Sequence, residues 1–139
     1  MEKLKLLIVD DELGVSSVIK KLFNDTFQIT IETSAMKALE LMKRERFDLF
    51  FVSYQLPYVN GIEVLEEIKE EYDNNDYVAI FCTVYGTIHL FKDEICQSLF
   101  SFFIEKPFEI EVLKQIMRKA AMHLEQKRKH TGQPEYIYN

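Results

Sequence analysis

The chain has 139 residues and a mass of 16.5 kDa, with 47% of residues apolar, which suits a single domain around one core and leaves too little to bury for a second. Its 17 Lys and Arg against 23 Asp and Glu give a formal net charge of -6 at pH 7, which disfavours broad contact with nucleic-acid phosphates or anionic membranes. A content of 4 Gly, 3 Pro and 13% aromatics excludes a disordered or linker-rich chain, and the two cysteines, Cys82 and Cys96, fall in no CxxC or Cys/His cluster and read as reduced thiols inside a cell.

The amino terminus, MEKLKLLIVDD, lacks a cleavage site after a long apolar region, and no apolar run is long enough to span a bilayer. A cytoplasmic chain without membrane insertion is expected. Leu4 to Val9 reads as a central strand covered on both faces. A helix from about Val15 to Phe23 places Val15, Val18, Ile19 and Leu22 on one stripe, and Phe27 to Ile31 gives a second strand. Ser34 reads as the cap of a helix from Ala35 to Lys43, with Ala38, Leu39, Leu41 and Met42 inward and Lys43, Arg44 and Arg46 at its basic end.

Leu49 to Val52 is a third strand, followed by Ser53-Tyr54-Gln55-Leu56-Pro57 and an Asn60-Gly61 turn. The third helix buries Ile62, Val64, Leu65 and Ile68 and leaves Glu63, Glu66 and Glu67 in water. Tyr77 to Cys82 is a fourth strand. Ile88, Phe91, Ile95 and Leu99 recur at helical spacing over Gly86 to Leu99, and Phe102 to Ile104 forms a short fifth strand ended by Lys106-Pro107. The longest helix starts near Glu109, with Ile110, Leu113, Ile116, Met117, Ala120 and Leu124 as its apolar stripe.

Five strands alternating with five helices predict an α/β fold, a doubly wound parallel sheet with helices on both faces, whose crevice lies beyond the carboxyl ends of the strands. Asp10, Asp11, Ser53, Thr83 and Lys106 all fall at those ends. The adjacent acids Asp10 and Asp11 either hold a hard cation such as magnesium or cap the following helix at its positive end. Thr83 and Lys106 together are able to hold a phosphoryl oxygen; taken singly, Thr83 satisfies local backbone groups and Lys106 pairs with Asp10 or Asp11. His89, His123 and His130 are too scattered to form a metal set. Residues 127 to 139 are set apart from a domain over 1 to 126: Lys127, Arg128, Lys129 and His130 read as a solvated basic helix end, and Gly132 to Asn139 as a flexible tail or linker stub.

The segments LLIVDDE at 6–12, DLFFVSYQLPYVNG at 48–61, IFCTVYG at 80–86 and FIEKPF at 103–108 resemble, in order and separation, the receiver domain of bacterial two-component response regulators. The resemblance covers the chain to the end of the last helix. It implies the flavodoxin-like strand order 2-1-3-4-5, a magnesium-binding acidic pair at Asp10 and Asp11, a sensing hydroxyl at Thr83, a neutralising lysine at Lys106, a switching aromatic at Phe103 and a cis peptide at Lys106-Pro107. It also implies a phosphorelay partner such as a histidine kinase, a fused output domain, and a homodimer face made by the fourth helix, fifth strand and fifth helix.

One position departs from the pattern. The phosphoacceptor aspartate maps onto Ser53, a neutral residue that is a weak nucleophile without a base and removes a charged metal ligand. No dedicated base is visible in the motif. The expectation is a non-enzymatic pseudo-receiver acting through protein contacts, with weak magnesium binding at most; the alternative is a conventional magnesium-dependent phosphoacceptor whose aspartate has been replaced. The resemblance carries three further expectations. Val84 stands where a small residue is usual and crowds the mouth of the site, with Tyr54 and Tyr85 narrowing it. Leu99 and Phe100 give a bulkier core where Gly-Ala is frequent. Phe103, without a phosphoryl signal to follow, is fixed as core.

Overall fold

The computed structural model describes residues 2–132, with side chains through Lys129, so the His130 side chain and the tail beyond Gly132 lie outside the described residues. The elements are β1 (Leu4–Val9), α1 (Leu13–Phe23), β2 (Phe27–Glu32), α2 (Ala35–Arg44), β3 (Leu49–Ser53), α3 (Gly61–Glu71), β4 (Val78–Val84), α4 (Glu94–Gln97), β5 (Phe102–Lys106) and α5 (Ile110–Gly132). The five strands are parallel in the order β2-β1-β3-β4-β5, as the doubly wound reading requires.

The period-2 geometry of the central strands divides their side chains between two cores. Leu7, Val9, Phe50, Val52, Ala79 and Phe81 face α2 and α3, where Ala38, Met42, Val64, Leu65 and Ile68 cover them. Leu6, Ile8, Leu49, Phe51, Val78, Ile80 and Cys82 face the other way, onto Ile19 and Phe23 of α1 and Leu113, Met117, Ala120 and Leu124 of α5. Ser34 caps α2 through Lys37 N, and Asn60 caps α3 through Glu63 N at 3.0 Å. The bulk at Leu99 and Phe100 enters the first of these cores, with Phe100 stacked on Phe81 at 5.0 Å between centroids.

Several boundaries and faces differ from the sequence reading. The buried stripe of α1 runs through Ser16, Ile19 and Phe23, while Val18 is exposed. A polar residue on the inner face hid the true register; Ser16 Oγ is, among the described residues, the buried side-chain oxygen without a hydrogen-bond partner. The expected fourth helix is broken. Gly86 adopts φ 84, a 3-10 turn spans Ile88–Phe91, and the Asp93 carboxylate accepts from Cys96 N to start α4 anew, a single turn that leaves Ile95 71% exposed.

The shortness of α4 overturns the placement of Phe103. β5 is an edge strand covered by α5 on one face, while the single turn of α4 leaves Phe103, on the other, 45% exposed rather than core. Ile110, at the first position of α5, also stands in solvent. At the other end of that helix the basic residues are docked, not solvated. Lys127 Nζ donates to Tyr77 O at 2.7 Å, and Arg128 pairs with Asp48 at 2.7 Å and donates to Asp76 O at 2.9 Å; Lys129 alone fits the solvated picture, in an exposed pair with Glu125.

Candidate functional site

β3 runs one residue and β4 and β5 two residues further than expected, so Ser53, Thr83 and Lys106 belong to strand ends rather than loops. In the ladders Ser53 lies opposite Cys82, Thr83 opposite Glu105, and Val84 opposite Lys106. Asp10 follows β1 directly, and its amide donates to Glu32 O at 3.1 Å. Hydrogen-bonded strands are stiff supports, and here they bring four separate peptides to one polar spot.

Asp10 is fully buried and is the hub of that spot. Its Oδ2 accepts from the Ser53 hydroxyl at 2.5 Å and faces Lys106 Nζ at 3.0 Å, while its Oδ1 accepts from Glu12 N at 2.8 Å and from Lys106 Nζ at 3.3 Å. Lys106 reaches Glu12 Oε1 at 3.0 Å as well. Burial pulls the Lys106 ammonium toward deprotonation, but the Glu12 and Asp10 carboxylates more than offset this and hold its pKa above the usual lysine value. Asp11 is exposed and takes no part in this cage.

Thr83 is buried, and its hydroxyl proton is already committed. Thr87 Oγ1 donates to Val84 O at 2.6 Å, so its single proton is used, and the 2.8 Å contact between Thr83 Oγ1 and Thr87 Oγ1 must be donated by Thr83. An anion in the pocket would therefore meet lone pairs, not a donor, on Thr83 unless that chain breaks.

A cavity of about 170 Å³ opens over these groups, lined by Asp11, Glu12, Ser53, Gln55, Cys82, Thr83, Val84 and Lys106. Val84 stands at its rim as expected, but neither tyrosine does. Tyr54 turns inward onto Phe91 and Phe81, at 4.9 and 6.2 Å between centroids, and Tyr85 is exposed, its amide extending the β4 to β5 ladder to Lys106 O at 2.7 Å. Burial pushes the Cys82 thiol up to about 12, so it is an inert wall and not a nucleophile; Cys96, on α4, is the other free cysteine. A larger cavity, about 920 Å³, lies at the opposite end of the strands among Lys3, Lys5, Lys20, Asn24 and Arg46, with no Ser, Thr or Cys in its lining. Its cations are partly committed, Lys5 to Glu45 and Arg46 over the Tyr72 ring. The Lys106-Pro107 peptide is cis.

As the side chains stand, Asp10 has no uncommitted oxygen to offer a magnesium ion. Magnesium needs a near-octahedral set of hard oxygens, usually with one or two carboxylates free to bind. Both Asp10 oxygens are occupied by Lys106, Ser53 and the Glu12 amide, and Ser53 offers no charge.

The family model for the response regulator receiver domain matches residues 6–118. The chain belongs to that family. This receiver domain is 30% identical over 116 residues to the sporulation initiation phosphotransferase F of Bacillus subtilis, covering 83% of this chain and 91% of that protein. It is 25% identical over 126 residues to the hybrid signal transduction histidine kinase K of Dictyostelium discoideum, covering 86% of this chain but only 10% of that protein. In fold it is similar to NtrX of Brucella abortus, with a TM-score of 0.81 at 22% identity, covering 94% of this chain and 29% of that one. Several relatives are thus much longer proteins in which the matched part is one module. The receiver domain is a signalling module of the two-component type.

In this receiver domain the structure brings Asp10, Ser53 and Lys106 into direct contact, leaves Asp11 at the rim, and sets Thr83 beside the pocket but bonded away from it. Sequence reading missed Glu12 as a second partner of Lys106 and Thr87 as the partner of Thr83. It also missed Asp10 as a carboxylate within proton-transfer distance of Ser53. The signal for Thr87 was present, four residues beyond Thr83, whereas the contact of Asp10 with Ser53 joins residues 43 apart and carries no local trace.

Proposed function

We propose that this receiver domain signals through protein contacts and does not accept a phosphoryl group. The observation that carries the proposal is the bond from Ser53 to Asp10. Ser53 donates a hydrogen bond to the Asp10 carboxylate and stays a neutral hydroxyl, a weak nucleophile, while Lys106 is held at 3.0 Å by the same carboxylate and is not free to meet an incoming phosphate. On this reading the chain is not an enzyme. Magnesium binds weakly, through Asp11 and what Asp10 can release.

The partner on this reading is a histidine-kinase-type protein or an output domain on the same polypeptide, as the likeness to a phosphotransferase and to a hybrid kinase supports. A second copy of the chain is the further partner, through the face of α4, β5 and α5, where Leu90, Ile95 and Phe103 are exposed. A cytoplasmic location accords with free cysteines and with described helices none of which is long and apolar enough to cross a membrane.

The test is incubation with acetyl phosphate and magnesium, followed by intact-mass spectrometry. No adduct is expected on the chain as it stands, and a stoichiometric phosphoryl adduct at Ser53 would overturn the proposal. Ser53→Asp separates the two readings of the substitution. Magnesium-dependent labelling of that variant would show a phosphoacceptor disabled at one position, while continued inertness would assign the block to the wider pocket, Val84 and the Thr83 to Thr87 bond included.

A further inference from the structure

We infer that Glu105 is the positioning residue for the turn after β4, and that it holds the α4 side of the molecule in one arrangement without a phosphoryl signal. The inference rests on the reading of Ser53 as silent and identifies what takes over the work of fixing that turn. The last two residues of β5 send their side chains to different parts of the site. Lys106 reaches across the sheet to Asp10 and Glu12, while Glu105 Oε2 accepts from Gly86 N at 2.8 Å and from Ile88 N at 3.4 Å.

Both bonds end on a single oxygen. The left-handed conformation of Gly86, at φ 84, turns the chain so that the amides of residues 86 and 88 point to one side, which is the geometry that cradles a negative oxygen. Bonds from amides to a carboxylate are the strong class of hydrogen bond. On its inner side the same turn is gripped by Thr83 to Thr87, by Thr87 Oγ1 to Val84 O, and by Thr87 N to Val84 O at 3.0 Å. Tyr85 N to Lys106 O fastens it to the strand that carries Glu105. The turn and the end of β5 therefore behave as one body. That body presents Val84, Tyr85 and, one turn on, Leu90, all exposed, so the shape of this surface depends on a residue that does not line the pocket over Asp10.

The test is amide hydrogen exchange by NMR on the full chain and on two variants, Glu105→Ala and Glu105→Gln. In Glu105→Ala the amides of Gly86 and Ile88 are expected to exchange about tenfold faster, with β1 and β3 unchanged. Glu105→Gln is expected to restore most of the protection, because one amide oxygen accepts both bonds. Unchanged exchange at 86 and 88 in the alanine variant would overturn the inference. So would equal loss in both variants, or an increase spread evenly through β1 and β3, which marks general destabilisation. These rates are read without any phosphodonor. Phosphorylation at Ser53 beside an intact Glu105 latch would sink the earlier proposal alone.

Discussion

Ser53 suits its place because the neutral hydroxyl gives Asp10, fully buried, a donor, where a second carboxylate would set two negative charges side by side. The same strand end explains Gly61. A Cβ on Gly61 would come within 2.1 Å of Ser53 O and 2.9 Å of Tyr54 Cα, so only glycine lets α3 begin against β3. Gly61→Ala is expected to lower unfolding free energy by about 3 kcal/mol, read from the shift of the urea midpoint, because backbone on both sides must move. Lys106 has a pH signature of its own. Its pKa is raised in the folded chain, so its contribution to stability is complete below the ordinary lysine pKa and is lost as pH rises through the raised value. Stability measured by denaturant above about pH 10 should fall in the native sequence. In Lys106→Met, already weakened by an unpaired Asp10, that alkaline decline should be shallower but not absent, because burial also holds Tyr72, Tyr77 and Cys82 above their ordinary values and they lose stability in the same direction.

At the level of elements, α5 does more than cover the sheet. Its last described turns are tied to the far end of the strands through Lys127 and Arg128, which reach Tyr77 O, Asp48 and Asp76 O. Replacing both by Ala is expected to cost about 1 to 2 kcal/mol and to raise amide exchange mainly over residues 122–129, since partly exposed charge-assisted bonds are worth little individually. Sequence alone disclosed the strands well, because buried parallel strands are continuous apolar runs, and α2, α3 and, past Ile110, α5 well, because their apolar stripes are regular. In α1 it placed Val15, Ile19 and Leu22 against the core but misplaced Val18, because the polar Ser16 takes an inner position, and it failed on α4, where Asp93 restarts a helix that apolar spacing alone reads as continuous. The site was legible as a set of strand ends. Its bonds were not, because Asp10 to Ser53, Lys106 to Glu12 and Glu105 to Gly86 are all long-range, and hydrogen-bond direction is set by three-dimensional proximity.

For the molecule as a whole, the -6 charge and the exposed apolar residues are unevenly matched to solvent. Glu63, Glu66, Glu67 and Glu70 line one side of α3, whereas Leu90, Ile95 and Phe103 are exposed around α4 and β5. If a second copy covers the latter face, sedimentation velocity should show a concentration-dependent dimer, and Phe103→Asp should weaken it about tenfold or more. A monomer at all concentrations would leave the face to a different protein. The two thiols offer a way to watch that face directly. Cys82 is walled in with its pKa near 12, while Cys96 is only partly covered and sits on α4. A thiol-reactive fluorophore added to the folded chain should therefore label Cys96 and not Cys82, slowly because burial and Asp93 hold the Cys96 thiol above its ordinary value, giving a reporter on α4 with no engineered cysteine and no second dye to subtract.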